Sequence, residues 1–451
     1  MQLIDALRIQ PGFSIAFVGA GGKTSAIQRL VHELLPDLPV LVTTTTKIAR
    51  QQSDLAAAHL ISSDILDEDD LIAKLQAKGS LLVTGPAAQD DPKWLGLADA
   101  QLAPLRNAGK RSGAVLLIEA DGARRRALKA PAAHEPVVPG FVDLVVPVAG
   151  VDAVEARISE ERVHRPELLA AGLGLKEGTR LSAQHVAEAL TSPEIGLKGI
   201  PSSVEVRLLI NKIAAEDDLD VGRSIAAKAL DSDRLHSVLL GSVKQDPPVL
   251  ETHGRVGAVV LAAGASKRLQ RPKQLVRWRG QPLVWHAIQV ARSGGLSPIA
   301  VVLGAEGDEV RRALASEDVI FIENPDWHAG QGTSVRAGLA AVERSAEGVI
   351  FLLSDMPLVG SDLVRTLVER HRSTLAPIIA PRIAGRFANP VLFDRSTFPE
   401  LLRLQGEAGG RALFDRYPME ALEWKEDVFL DVDTPEDLER LQGLESNSNN
   451  P

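Results

Sequence analysis

Residues 257–273 read GAVVLAAGASKRLQRPK, and the fold depends on how they are taken. Ala258, Val259, Val260 and Leu261 form a run of small and β-branched apolar side chains, the composition of a strand buried on both faces. Ala262, Ala263, Gly264, Ala265 and Ser266 then bring no bulk, and Lys267, Arg268, Arg271, Pro272 and Lys273 follow. A loop from which nothing projects lets backbone N–H groups approach a polyphosphate. Leu261, Ala262, Ala263, Gly264 and Ser266 are therefore expected to line a nucleotide, with Arg268 and Lys273 neutralising its phosphates. The plain alternative is a strand-to-helix turn with solvated charges.

Working outward, a chain of 451 residues is too long for one core and should hold two or three domains. Hydrophobic residues at 45% and charged residues at 24% are ordinary for a soluble globular protein. With no cysteine, disulfides, zinc–thiolate sites, iron–sulfur clusters and thiol nucleophiles are excluded. Any metal must take carboxylate, imidazole, hydroxyl or phosphate ligands, which favours Mg²⁺. No apolar run approaches the ~18 residues that cross a bilayer, and MQLIDALRIQ is not a signal peptide. A net charge of −9 argues against non-specific nucleic-acid binding. The expectation is a cytoplasmic enzyme with no membrane and no nucleic-acid partner.

Over the first 150 residues short apolar runs alternate with helix-length segments, the pattern of a doubly wound α/β sheet. A strand at 14–18 enters Gly19, Ala20, Gly21, Gly22, Lys23 and Thr24, and an amphipathic helix follows. Such a turn suits phosphate binding, with amides at the helix N-terminus, Lys23 on the outer phosphates and Thr24 on Mg²⁺. Phe17 stands where a full phosphate-loop motif has its first Gly. A strand at 40–42 ends in Thr43 to Lys47, a row of hydroxyls at a sheet's ligand-binding end, although Thr is also a good strand residue. A strand at 115–118 leads to Glu119 and Asp121, an acidic end suited to Mg²⁺ or water positioning, followed by the basic Arg124, Arg125 and Arg126. Another strand, at 204–210, ends in Asn211, Lys212, Ile213 and Ala214; the Asp that would read guanine is absent. The proline pair and polar residues of 244–254 read as a linker, and 445–451 as a disordered tail.

Beyond 255 a helix is expected at 281–294 and strands at 299–303, 319–322 and 349–353. The last is followed by Ser354, Asp355, Met356 and Pro357; an Asp at the C-terminal end of a central parallel strand suits a metal, or else caps a turn. In Asp431, Val432, Asp433, Thr434 and Pro435, either Asp431 or Asp433 offers a second Mg²⁺ carboxylate, and Asp433 could equally cap the next helix.

The opening stretch resembles the L-A-[AG]-G-x-S-x-R-x-G-x-x-K loop of the MobA-like nucleotidyltransferases, with Gln270 in place of Gly. Ala263 and the Pro-Lys-Gln-Leu after it look most like molybdenum cofactor cytidylyltransferases. Residues 324–334 are similar to that family's N-P-x-W-x-x-G-[MQ]-x-x-S loop, which implies that Gly332 and Ser334 lie beside the base and the acceptor. The [LG]-x-D-M-P motif matches at Asp355 and D-x-D-T-P-E-D at 431–437. Asn389 falls in a run resembling [GH]-[HN]-P-V-L-[FW], which shapes the acceptor side, and 406–411 resemble G-D-x-G-[AG]-R with Glu407 for Asp. In the first 240 residues GAGGKT, TTTTKI, EADGAR, LKAPAAHEPVVP and VHRPEL stand in the order of the YqeC-type selenium-dependent hydroxylase accessory proteins, which implies a nucleotide-binding, GTPase-like module.

The architecture expected is thus two doubly wound α/β domains. A P-loop-like NTPase domain with Gly19, Gly21, Gly22, Lys23, Thr24 and Asp121 at its site occupies 1–243, and a Rossmann-like nucleotidyltransferase domain occupies 255–444. The resemblance implies transfer of CMP from CTP to the terminal phosphate of Mo-molybdopterin, with release of pyrophosphate, in the maturation of molybdenum hydroxylases. Mg²⁺, a purine nucleotide in the first domain and an apo molybdenum hydroxylase client go with that reading. A sugar-phosphate nucleotidyltransferase and a nucleotide-binding cofactor-insertion protein are the alternatives.

Overall fold

The structure, a computed structural model, describes residues 1–448 apart from 66, 90, 124, 125, 267, 270 and 426–429; of 445–448 it describes the backbone alone. Lys267, Gln270, Arg124 and Arg125, singled out in the sequence, lie outside the described residues, as do 449–451. Two compact units result, 1–253 and 254–451.

The first unit is built on β1 (Ser14–Gly19), β2 (Val40–Thr44), β3 (Ala58–Ile61), β4 (Ser80–Thr84), β5 (Val115–Glu119), β6 (Leu144–Gly150), β7 (Glu205–Asn211), β8 (Ser237–Gly241) and β9 (Val249–Gly254). They lie in the order β9-β8-β7-β6-β1-β5-β2-β4-β3. From β8 through to β3 every neighbouring pair is parallel. Alternate residues of β1 serve opposite cores. Ile15 and Phe17 pack with Ile27 and Leu30 of the helix Lys23–Leu34, while Ala16 and Val18 pack with Leu71, Leu75, Leu102 and Leu105. Helices cover both faces, which is why the strands read as unbroken apolar runs.

The expected linker needs correction. Its second half is β9, and the proline pair marks the turn before a strand. Val249, Thr252 and His253 are buried, and Glu251 is bound by Arg223 and His253. The expected tail also begins as ordered chain, because the helix Pro435–Ser448 runs through 445–448.

The second unit contains β10 (Val256–Ala262), β11 (Ile299–Leu303), β12 (Ile320–Glu323), β13 (Gly348–Leu353), β14 (Ile378–Ile383), β15 (Arg386–Phe387), β16 (Val391–Asp394) and β17 (Met419–Glu423). The order is β12-β11-β10-β13-β16-β14-β15, with β17 beside β14. The sheet is mixed: β10 is parallel to β11 and β13, but β16 runs antiparallel to β13 and β14. The links from β14 through β15 to β16 are too short for the crossover a parallel neighbour requires. Helices Leu283–Ser293 and Ser361–Thr374 share one core with Ala258 and Val260. Gln331–Val342 packs on the other face with Val259. After β10 the chain runs outward through β11 and β12, then returns to the other side of β10 as β13. Such a reversal leaves a crevice at the C-terminal ends of β10 and β13.

Candidate active site

The loop after β10 opens into that crevice. Ala262 and Ala263 are buried, Leu261 is half-buried and Gly264 is exposed. A Cβ at Gly264 would meet nothing within 4 Å, so the surface here is bare backbone. Ser266 adopts a positive φ of 48°. Its Oγ accepts a hydrogen bond from the Lys273 amide at 2.9 Å and donates to Gln274 Oε1 at 3.4 Å. Gln274, 1% exposed, donates from Nε2 to the carbonyls of Ala262 at 3.0 Å and Gly264 at 2.6 Å. Sequence reading met Gln274 only within the Pro-Lys-Gln-Leu run and gave it no role, because its spacing from Ala262 and Gly264 carries no periodic signal.

Across the crevice stands Asp355, just beyond β13. Lys273 Nζ is bound to Asp355 Oδ2 and lies 2.8 Å from Asp433 Oδ1, while Arg268 Nη1 reaches Asp433 Oδ2 at 3.4 Å. Burial works to lower the Lys273 pKa, but the charges and hydrogen bonds of Asp355 and Asp433 outweigh it and raise the pKa, so the group stays an ammonium. Asp431 belongs to the same neighbourhood. Surrounding protein and then the charges of Asp355 and Asp433 push its carboxyl above the ordinary range. Sequence had left Asp433 between metal and cap. Thr434 takes the capping role instead: its Oγ accepts from the Asp437 amide at 3.3 Å, and Asp437 Oδ2 accepts from the Thr434 amide at 3.0 Å. Asp433 is left facing Lys273.

The segment that carries Asp433 is fastened by its own small core, in which Leu430, Val432, Leu438 and Leu441 pack with Leu269, Val276, Trp278 and Leu283. Leu269 belongs to the loop after β10 itself. Among the described residues no ready-made cage of three or more His, Asp or Glu groups exists. The donors nevertheless suit a hard cation shared with phosphate. Asp355 Oδ1 is buried and takes no hydrogen bond, a costly arrangement that a divalent ion would relieve.

Asn389 lies near Asp355, lining a small hollow with Leu353, Met356 and Pro357. Gly332 and Ser334 are engaged otherwise. The Gly332 amide donates to the Gly406 carbonyl at 2.9 Å, and buried Ser334 accepts from Asn324 Nδ2 at 2.9 Å. Gly330, at φ 114°, backs so closely onto Gly406 that a Cβ would come within 2.3 Å of its carbonyl carbon. The 324–334 and 406–411 loops, matched to two separate family motifs, are thus one construction, held backbone to backbone.

In the first unit the glycine turn follows β1, while Glu119 ends the adjacent β5 and Asp121 lies just beyond it. Buried Lys23 lies 2.8 Å from Asp121 Oδ1 and also donates to the Gly19 carbonyl. Asp121 Oδ2 takes Lys129 at 3.0 Å, Lys129 reaches Glu135 at 2.7 Å, and Arg165 meets Glu135 at 2.7 Å. Thr24 Oγ donates not to Asp121 but to Glu119 Oε2 at 3.1 Å, and accepts from Gln52 at 3.0 Å. Burial raises the Glu119 pKa.

Several groups expected to hold phosphate already have protein partners here. The amides of Gly19, Ala20 and Gly21 donate to Asp121 Oδ2, the Val148 carbonyl and the Arg126 carbonyl. Gly21, at φ 80°, has no room for a Cβ against the Gly150 amide at 2.2 Å. Gly22 backs onto Asn211, whose Nδ2 donates to the Gly21 carbonyl at 2.8 Å. Asn211 therefore braces the turn. The hydroxyls of Thr43, Thr44 and Thr45 donate to the carbonyls of Val83, Glu119 and Val137, so these threonines stitch strand ends together.

Residues 258–421 match the MobA-like NTP transferase domain, and residues 15–167 match the YqeC protein family. Asp431 and Asp433 lie beyond the first of these segments. Nicotine blue oxidoreductase of Paenarthrobacter nicotinovorans is 32% identical over 202 residues, which cover 41% of this chain and 96% of that protein. Uncharacterized protein YqeC of Escherichia coli (strain K12) is 26% identical over 244 residues, covering 52% of this chain and 89% of that one. The crystal structure of Rv0371c from Mycobacterium tuberculosis H37Rv shares 33% identity over 42% of this chain and 98% of its own, with a TM-score of 0.38. Of Bifunctional protein GlmU from Cupriavidus pinatubonensis the chain spans only 26% of the length. No helix among the described residues is long and apolar enough to cross a membrane.

Proposed function

We propose that this chain, which belongs to the MobA-like NTP transferase family through residues 258–421 and carries a YqeC domain at 15–167, is a cytidylyltransferase of the molybdenum cofactor. That it is a nucleotidyltransferase follows from the family. The finer reading is that CMP passes from CTP to the terminal phosphate of Mo-molybdopterin, for delivery to molybdenum hydroxylases in the cytoplasm.

The observation that carries this reading is one ammonium, Lys273, between Asp355 and Asp433 at the sheet's switch point, beneath a loop of bare backbone. The acceptor phosphate is already largely dianionic near neutral pH, with its second pKa at about 6. Its oxygen attacks the α-phosphorus in line, a new P–O bond forms, and the bond to the bridging oxygen breaks with pyrophosphate as leaving group. No side chain has to remove a proton. Lys273 and Arg268 hold the triphosphate, the 262–266 backbone lines it, and Asn389 bounds the crevice on the side of Asp355. Asp355 and Asp433 would hold Mg²⁺, which when bound offsets charge on the phosphates.

The first unit is read as an anion-binding module, its ligand a nucleotide that must part Lys23 from Asp121. A second reading takes the name of the Paenarthrobacter relative as its guide and makes the crevice that of an oxidoreductase. Pyrophosphate release separates the two. Purified chain with Mg²⁺ and Mo-molybdopterin should release pyrophosphate with CTP in preference to GTP or ATP, and should not do so with sugar phosphates as acceptors. Absence of pyrophosphate with every nucleotide would reject the transferase reading.

A further inference from the structure

Gln274 makes no contribution on the open side of the loop. Its side chain lies underneath, 1% exposed, and both ends of its amide are used. Nε2 donates to the carbonyls of Ala262 and Gly264 at 3.0 and 2.6 Å. Oε1 accepts from Ser266 Oγ at 3.4 Å, and the same hydroxyl accepts the Lys273 amide at 2.9 Å. Two carbonyl neighbours require the NH₂ end, and a hydroxyl already accepting from Lys273 has its proton free for the oxygen end. Only one orientation of the amide satisfies all four groups.

The consequence for a ligand follows from peptide geometry. In a trans peptide the C=O and N–H point in opposite directions, and among the described residues every cis bond precedes a proline. A Gly264 carbonyl drawn inward to Gln274 turns the Ala265 N–H outward, toward the crevice. It also hides the negative end of that peptide dipole from any anion there. Without the donor, both carbonyls would lose this partner, and the peptide after Gly264 would be free to turn its carbonyl toward water.

We infer that Gln274 is a positioning residue for nucleotide binding: it presets the 262–266 backbone with N–H groups toward the phosphates and carbonyls away from them. The inference rests on the reading of this crevice as the CTP site. Gln274 acts on the nucleotide alone, so its loss separates CTP binding from acceptor binding and from the carboxylates.

The test compares wild-type protein with Gln274→Met, similar in volume but without a donor, by calorimetric titration of CTP with Mg²⁺ and by steady-state pyrophosphate release. Kd and KM for CTP should rise at least about tenfold, while KM for the acceptor and the Kd for Mn²⁺ alone stay within about twofold. A CTP affinity unchanged from wild type overturns the inference, and so does an equal loss in all four constants, which would mark general damage. Should Gln274→Met not fold, Ser266→Ala removes the hydroxyl that joins Gln274 Oε1 to the Lys273 amide and should raise KM for CTP by about two- to fivefold; no change there overturns it equally. Wild-type protein that binds no nucleoside triphosphate would remove the functional reading itself. Wild-type binding with indifferent variants removes this inference only.

Discussion

Lys273 Nζ stands 2.8 Å from Asp433 Oδ1, although 160 positions separate the two residues in the chain. The same ammonium is bound to Asp355, so a cation of the protein occupies the ground between two carboxylates that a metal would share. Lys273→Met should lower pyrophosphate release by a factor matching about 2–4 kcal/mol of lost transition-state stabilisation. Yet it should bind Mn²⁺ alone more tightly than wild type, because the competing charge is gone. Mn²⁺ titration followed by electron paramagnetic resonance checks this; weaker Mn²⁺ binding in the variant would contradict it.

Asp355 and Asp431 should not behave alike. Asp355 Oδ1 is buried without a hydrogen bond, whereas Asp431 lies at the exposed margin of the group. Asp355→Asn is expected to abolish both metal binding and turnover. Asp431→Asn should retain measurable pyrophosphate release. Equal losses in the two variants would move the metal toward Asp431.

The charge chain in the first unit sets an acid response. Burial works to raise the Glu135 carboxyl, but hydrogen bonds from Arg165 and Lys129 hold it down to about 2, against 4.5 for an ordinary glutamate. A carboxyl lowered on folding lends stability above its unfolded pKa and loses it as the pH falls toward the folded value. Wild-type protein should therefore lose up to about 3 kcal/mol between roughly pH 5 and pH 2 that Glu135→Gln does not lose. Urea unfolding at each pH, wild type against variant, measures the difference. A gap that stays constant with pH would refute the assignment.

Two glycines should separate cleanly. Gly330→Ala puts a Cβ against the Gly406 carbonyl at a φ of 114° and should cost at least about 1–3 kcal/mol, seen as a lowered melting temperature. Gly264→Ala meets nothing within 4 Å and should leave the melting temperature nearly unchanged. The reverse order would mean that the 330 and 406 loops do not meet as described.

What sequence could reveal here was whatever repeats along the chain. The central strands are apolar on both faces, so runs such as 299–303 announce themselves, and the residue after a buried strand is a natural place to look for Asp355. What it could not reveal depends on partners far away. β9 hides behind prolines because its burial comes from the rest of the first sheet. Asn211 looks like half of a base-reading motif until its hydrogen bond to Gly21, 190 positions distant, is seen. Thr24 finds Glu119 and not Asp121, since the parallel register of β1 and β5 brings Glu119 beside Phe17. Asp433 was a possible cap on paper, and only the folded chain shows Thr434 in that place.

The small core joining Leu269 and Trp278 to Leu438 and Leu441 sets a condition on when this protein can begin to work. Residue 433 is made 160 positions after Lys273, and until the closing helix docks, the lysine has only Asp355 of that pair to hold it. Proteolytic clipping near residue 430 should therefore lower pyrophosphate release while sparing most of the sheet.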